Sequence, residues 1–174
     1  MPSSAYSRWI EFVGDPQDLL QRLQAALAAG ESDPHALSRA VIVSLAAAWE
    51  TYVEHVALEA GQWVLSPAHL AQFSAQDVQC FNNAKPANVR SLLTMVLGHD
   101  PWPHMAVSGK TVEQTKVTVG IHQQTRHQIA HGQARPQFSE SALTERIAFF
   151  NELVTNADQH IESVLTATLG YNPW

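Results

Sequence analysis

Apolar positions recur along this chain at the spacing of helices, and turn residues punctuate them. Tyr6, Trp9, Ile10 and Val13 follow the i, i+3, i+4, i+7 pattern of one helix face. Gly14-Asp15-Pro16 then predicts a break, with Asp15 as N-cap and Pro16 as the first residue of a second helix. That helix is expected to run to Ala29 and stop at Gly30, where a left-handed turn is available. Asp33-Pro34 repeats the start signal, and HALSRAVIVSLAAAWETYVEHVALEA continues without a breaker until Gly61. Val41, Leu45, Ala48, Tyr52 and Val56 form one apolar stripe on this helix, and Ile42, Trp49 and Val53 form a neighbouring one. A helix apolar around so much of its girth packs on more than one side, so it is expected to be central. Glu50, Glu54 and Glu59 are expected to be solvated or at its rim.

Ser66-Pro67 and Lys85-Pro86 begin two further segments, the second ending near Gly98. HDPWPHMAVSG, residues 99–109, reads as a proline-broken loop with Trp102 as a hydrophobic plug. The stretch TVEQTKVTVGI is rich in β-branched residues and contains Gly120, which favours a strand on propensity. No other convincing strand exists to pair with it, and a lone strand is unstable, so 111–131 is predicted to be helical. Leu143, Ile147, Phe150, Val154, Ala157, Ile161 and Val164 alternate steps of four and three, the seam of a long bundle helix. The pattern predicts an all-α fold: an up-and-down helical bundle of four to five helices with short accessory helices.

Composition narrows the function classes. The chain has 174 residues, the size of one domain, and buries enough surface to need no disulfide or metal staple. Its single cysteine, Cys80, excludes an internal disulfide and paired-cysteine zinc sites, and reads as a small buried hydrophobe. That usage suits a reducing, cytoplasmic setting. MPSSAYSRWIEF lacks a charged flank followed by a long apolar core, and no unbroken apolar run approaches the ~20 residues of a membrane span. Neither a signal peptide nor a membrane partner is therefore expected. A formal net charge of −6 argues against nonspecific binding of polyanions. Nine histidines are present, and five of them (His99, His104, His122, His127, His131) fall in one third of the chain.

The candidate chemistry lies in TRHQIAHGQ, residues 125–133. One reading is a metal site, because His127 and His131 sit at the HExxH spacing of zinc peptidases. Gln128 replaces the glutamate that would act as base there, no third ligand stands at a standard spacing, and Arg126 disfavours a dication. A second reading is the polar end of a helix, where cations meet the dipole and Gly132 terminates the turn. The third is phosphate chemistry, for which His131 exchanges protons near neutrality and the fork of Arg126 fits phosphate oxygens. On an ideal helix positions 126 and 131 are about 140° apart, so one helix does not easily aim both at one phosphate. Two copies related by a twofold axis would pool both pairs in one cleft. Between Met105 and Arg135, Lys110, Lys116, Arg126 and Arg135 oppose only Glu113, a local +3 (four minus one).

Arg126-His127-(x)3-His131 with its trailing Gly132 resembles the signature of HEPN domains, in which a polar residue follows the arginine. SLAAAWETYVEHV, residues 44–56, is similar to the "aromatic-E-x-aromatic" helix of prokaryotic RiboL-PSP-type HEPN proteins. The likeness spans roughly residues 35–168, carried by these two motifs. The resemblance implies a helical bundle that forms a homodimer with the motif at the interface. It also implies a metal-independent endoribonuclease that leaves 2′,3′-cyclic phosphate and 5′-hydroxyl ends. Such proteins act as toxins or in phage defence, some under the control of an antitoxin protein. No cofactor is implied. By position, Arg126 would stabilise the scissile phosphate, His131 would act as general base or acid, and His127 would orient the pair or touch RNA. Glu50 would support Arg126 through a charge-assisted hydrogen bond, and His122, one turn earlier, would join the cleft or lie on the surface. Some members are inactivated by modification of a tyrosine just past the histidine; here Gly132, Gln133 and Ala134 occupy that stretch. Other members have lost catalysis and bind RNA, nucleotide or a partner protein, which is the alternative reading.

Overall fold

The computed structural model describes residues 2–31, 34–81 and 83–174. Among these the chain forms helices α1 (Ser4–Phe12), α2 (Gly14–Ala28), α3 (His35–Val64), α4 (Pro67–Gln72), α5 (Pro86–Leu97), α6 (Val112–Ala130) and α7 (Glu140–Leu169), and no strand. A π-helical turn, Phe73–Val78, follows α4, and a 3-10 turn, Trp102–His104, follows α5. The all-α expectation holds, including the helical reading of 111–131.

The apolar girth of α3 sets the architecture. Val41, Ile42, Leu45, Trp49, Tyr52, Val53 and Val56 are all buried, and α1, α2, α5, α6 and α7 pack around them. Each such side chain contributes about 1.5–3 kcal/mol by leaving water. By length and composition α3 could also cross a membrane, yet 56% of its most apolar window is buried inside the fold, as in a core helix. Trp49 stacks on Tyr52 with ring centroids 5.9 Å apart and meets Phe150 of α7 at 5.8 Å, while Trp9 of α1 meets Tyr52 edge-on at 6.4 Å. The buried indoles keep polar partners: Trp9 donates to Asn151 Oδ1 at 3.0 Å and Trp49 to the Ala84 carbonyl at 3.1 Å. Trp102 is the predicted plug, fully buried, its Nε1 donating to the Pro86 carbonyl at 3.0 Å.

The predicted seam of α7 is buried from Leu143 to Ile161, with Val164 half-buried at its end. Gly30 adopts the expected left-handed conformation behind α2, with φ 69°, and Gly98, where the second segment was expected to end, does the same behind α5, with φ 76°. Ser66 caps α4 as its sequence predicts, its side chain accepting from the His69 N–H.

Four local expectations are corrected. Asp15 is not an N-cap: Val13 joins α1 to α2 in helical conformation (φ −69°, ψ −14°), so the chain never extends as a capping residue must. Pro16 sits inside the first turn, where its missing N–H leaves no bond unmade. Ile10 is 54% exposed, because the nine-residue α1 buries a narrow face of Ala5 and Trp9. Gly61 does not end α3, which runs on to Val64; a single interior glycine weakens a helix by only about 1 kcal/mol. A Cβ at Gly61 would lie 3.3 Å from Leu70 Cδ1, so the glycine admits α4 close against α3. Cys80 is exposed rather than buried, since it sits in the turn just beyond the buried Val78. The start signal at Asp33 lies outside the described residues.

Candidate active site

α6 presents the arginine–histidine motif at its C-terminal end. Its start is fixed by a capping box: Thr111 Oγ1 accepts from the Gln114 N–H at 3.1 Å, and Gln114 Oε1 accepts from the Thr111 N–H at 2.8 Å. The stop is at the predicted glycine. Gly132 takes φ 65°, and the Gln133 N–H turns back to the Gln128 carbonyl at 2.9 Å. His131 is the C-cap, with φ −94° and ψ 8°, its N–H bonded to the His127 carbonyl. The motif therefore ends a rigid rod, with its histidines in solvent.

The residues singled out from the sequence fall in different environments. Arg126 is half-buried, and its Nη2 lies 3.5 Å from Glu50 Oε2 on α3. His127 and His131 are exposed, with ring centroids 4.3 Å apart, one turn from each other. Glu50 is held at the seam between α3 and α6, beside Trp49, so the WETY stretch plants its aromatics in the core and turns its carboxylate toward Arg126. Burial pushes the Glu50 carboxyl above the usual carboxylate range, while the Arg126 guanidinium and the Ala84 N–H pull it back down. Glu54, one turn further along, is also raised, by burial and then by the nearby charge of Glu50.

His122 goes elsewhere. It is 1% exposed, its ring lies 4.7 Å from that of Phe150, and its Nδ1 is 3.3 Å from Arg146 Nη1 on α7. Burial, and secondarily the Arg146 charge, push it down to about 3, so it is a neutral core imidazole at pH 7. It is neither a surface histidine nor a member of the exposed cluster. The helical period places it one turn from Arg126, but it is drawn into the α6–α7 seam. Arg146, missed from sequence, shapes this seam: it meets His122 and stands over the Phe138 ring at 5.3 Å. Nothing in its local sequence marks it, because its partners are on other elements.

The local charge is smaller than the sequence count. Lys116 pairs with Glu113 at 3.4 Å and Arg126 with Glu50, so two of the four cations already have carboxylates beside them. Among the described residues, no third histidine, cysteine or carboxylate joins His127 and His131 in a group able to hold a metal. What the helix end offers is one guanidinium held beside a carboxylate and two solvent-facing imidazoles, groups suited to bind an anion and exchange protons. Comparison with family models, with curated proteins and with solved structures finds no match in any of the three.

Proposed function

We propose that this chain is a metal-independent endoribonuclease of HEPN type, acting as a homodimer in the manner of a toxin or phage-defence effector. The observation that carries the reading is the pairing of Arg126 with the half-buried carboxylate of Glu50, next to the exposed His131 and His127. A carboxylate behind a guanidinium holds its fork in one orientation and leaves the remaining N–H groups for phosphate. In the reaction, an imidazole of His131 takes the proton of the 2′-hydroxyl, whose oxygen attacks phosphorus. The bond to the 5′-oxygen breaks, and that oxygen receives a proton from an imidazolium, leaving a 2′,3′-cyclic phosphate and a 5′-hydroxyl. Arg126 stabilises the charge on the phosphorane. Positioned acid–base groups contribute about 10²–10⁴ in rate, and charge stabilisation a comparable factor.

α6 offers an exposed apolar face through which two copies could meet. Val117 and Ile121, on the same helix, are 57% and 51% exposed. Counting about 100° per residue, His131 lies within about 60° of the direction of this apolar pair, whereas Arg126 points about 160° away. Two copies meeting through the Val117–Ile121 face would bring their His131 side chains together and leave each Arg126 on the opposite side of its α6. An antitoxin that silenced the enzyme would cover this same helix end.

The direct test is RNA cleavage by the full chain in excess EDTA, alongside Arg126→Ala and His131→Ala. The proposal predicts cyclic-phosphate products from the wild type and none from either variant. One observation favours the alternative of a non-catalytic module binding RNA, nucleotide or a partner protein: the Arg126 charge is already met by Glu50. Salt-sensitive RNA binding without cyclic-phosphate products would select that alternative.

A further inference from the structure

His99 and His104, from the histidine-rich third of the sequence, meet a third imidazole far along the chain. His99 Nε2 lies 3.0 Å from His160 Nε2 on α7, and the His104 and His160 rings stack with centroids 4.1 Å apart. One nitrogen from each of the three rings lies within 4.8 Å of the others.

We propose that His99, His104 and His160 form a binding site for a borderline divalent transition-metal ion, with zinc as its natural occupant. The protonation pattern supports it. His99 Nδ1 lies 2.9 Å from the Leu97 carbonyl oxygen, which can only accept, so Nδ1 carries the proton. In the neutral ring Nε2 then bears the lone pair, aimed at His160. A backbone carbonyl fixing the outer nitrogen of a histidine is the usual arrangement behind a metal ligand.

The frame is preorganised. Asp100 pairs with Arg90 at 3.2 Å and accepts from the Trp102 N–H at 3.1 Å, and Trp102 and Met105 are fully buried on either side of His104. Asn156, one turn before His160, donates to the Ala106 carbonyl at 2.8 Å and ties the loop to α7. Metal–nitrogen bonds of about 2.0–2.1 Å place two tetrahedral ligands about 3.4 Å apart, close to the observed His99–His160 separation. His104, whose ring is exposed, turns out of its stack to complete the set. Three imidazoles suit zinc, and leave a fourth position for water or an anion.

This site is distinct from the arginine–histidine motif. Arg146 of α7 touches His122 of α6, and His160 lies fourteen residues further along α7, about 21 Å away at the helical rise. Arg126 and His131 extend in the opposite direction along α6. A bound ion would clamp the 98–105 loop to α7, remote from any RNA chemistry.

The test is zinc titration of the metal-stripped full chain by calorimetry, with cobalt(II) absorption as a second readout of coordination. One zinc per chain and the intense visible bands of four-coordinate cobalt are expected. His104→Ala, at an exposed position, and His99→Asn should each weaken zinc binding by more than about 100-fold, since losing even the group behind a ligand costs roughly 10–100-fold. His131→Ala should bind zinc as the wild type does. Absence of zinc uptake by the wild type, undiminished uptake by folded His104→Ala and His99→Asn, or loss of uptake in His131→Ala would each overturn the assignment. The readout is metal, not RNA cleavage, so its outcome is independent of the ribonuclease reading.

Discussion

A carboxylate beside a guanidinium both orients it and competes for it. Glu50 is drawn toward protonation by burial and toward ionisation by Arg126, whose guanidinium it meets at 3.5 Å in the α3–α6 seam. Glu50→Gln keeps an acceptor without the charge, so it should lower kcat for RNA cleavage roughly ten- to hundredfold while leaving KM unchanged, as steady-state kinetics would show. His122 makes a separate prediction. Its folded value near 3 lies below the ordinary 6.5, so the unfolded chain binds a proton that the folded chain refuses between these limits. Its contribution to stability is complete above about pH 6.5 and is lost as pH falls toward 3, by up to a few kcal/mol. Thermal melts of His122→Phe should depend less steeply on pH in this window than those of the wild type. Periodicity marked Glu50 only as a glutamate on the rim of an apolar helix; the HEPN resemblance is what paired it with Arg126, which it meets at 3.5 Å. The sequence could not mark His122 as buried, because the residues that bury it, Arg146 and Phe150, belong to another helix.

At the scale of elements, a rod capped at one end and stopped at the other presents the motif. Thr111→Ala removes one bond of the capping box and should lower stability by about 1 kcal/mol in urea unfolding. Gly132→Ala places a Cβ at φ 65°, which costs about 1–2 kcal/mol and unsettles the adjacent His131. The stop at Gly132 was legible, as were the starts at Ser66-Pro67 and Lys85-Pro86, because turn prolines and left-handed stops are local chemistry. The helical state of 111–131 was legible by elimination, since its β-branched residues had no strand to join. Asp15 misled for a physical reason: α1 and α2 join through a residue that stays helical, and Asp-Pro then falls inside a first turn. Gly61 misled because tight packing against Leu70 has a use for a missing side chain in mid-helix.

At the scale of the molecule, the informative contacts join residues far apart in sequence. Glu50 and Arg126 are 76 positions apart, and His99 and His160 are 61. Helical periodicity fixes which face a residue occupies but not which helix that face meets, so neither pair was readable as a distance. The exposed Val117 and Ile121 belong to the same scale. Val117→Glu combined with Ile121→Glu should yield a folded monomer in sedimentation, if that face joins two copies. The claim that Arg126 and His131 act as one site pooled by two chains is tested most directly by mixing. Wild-type chains are refolded with the Arg126→Ala/His131→Ala double variant at constant total chain concentration and varying proportion, and total RNA cleavage in excess EDTA is read. A pooled site predicts that total activity falls as the square of the wild-type fraction. A linear fall, or no cleavage by the pure wild type, would contradict it.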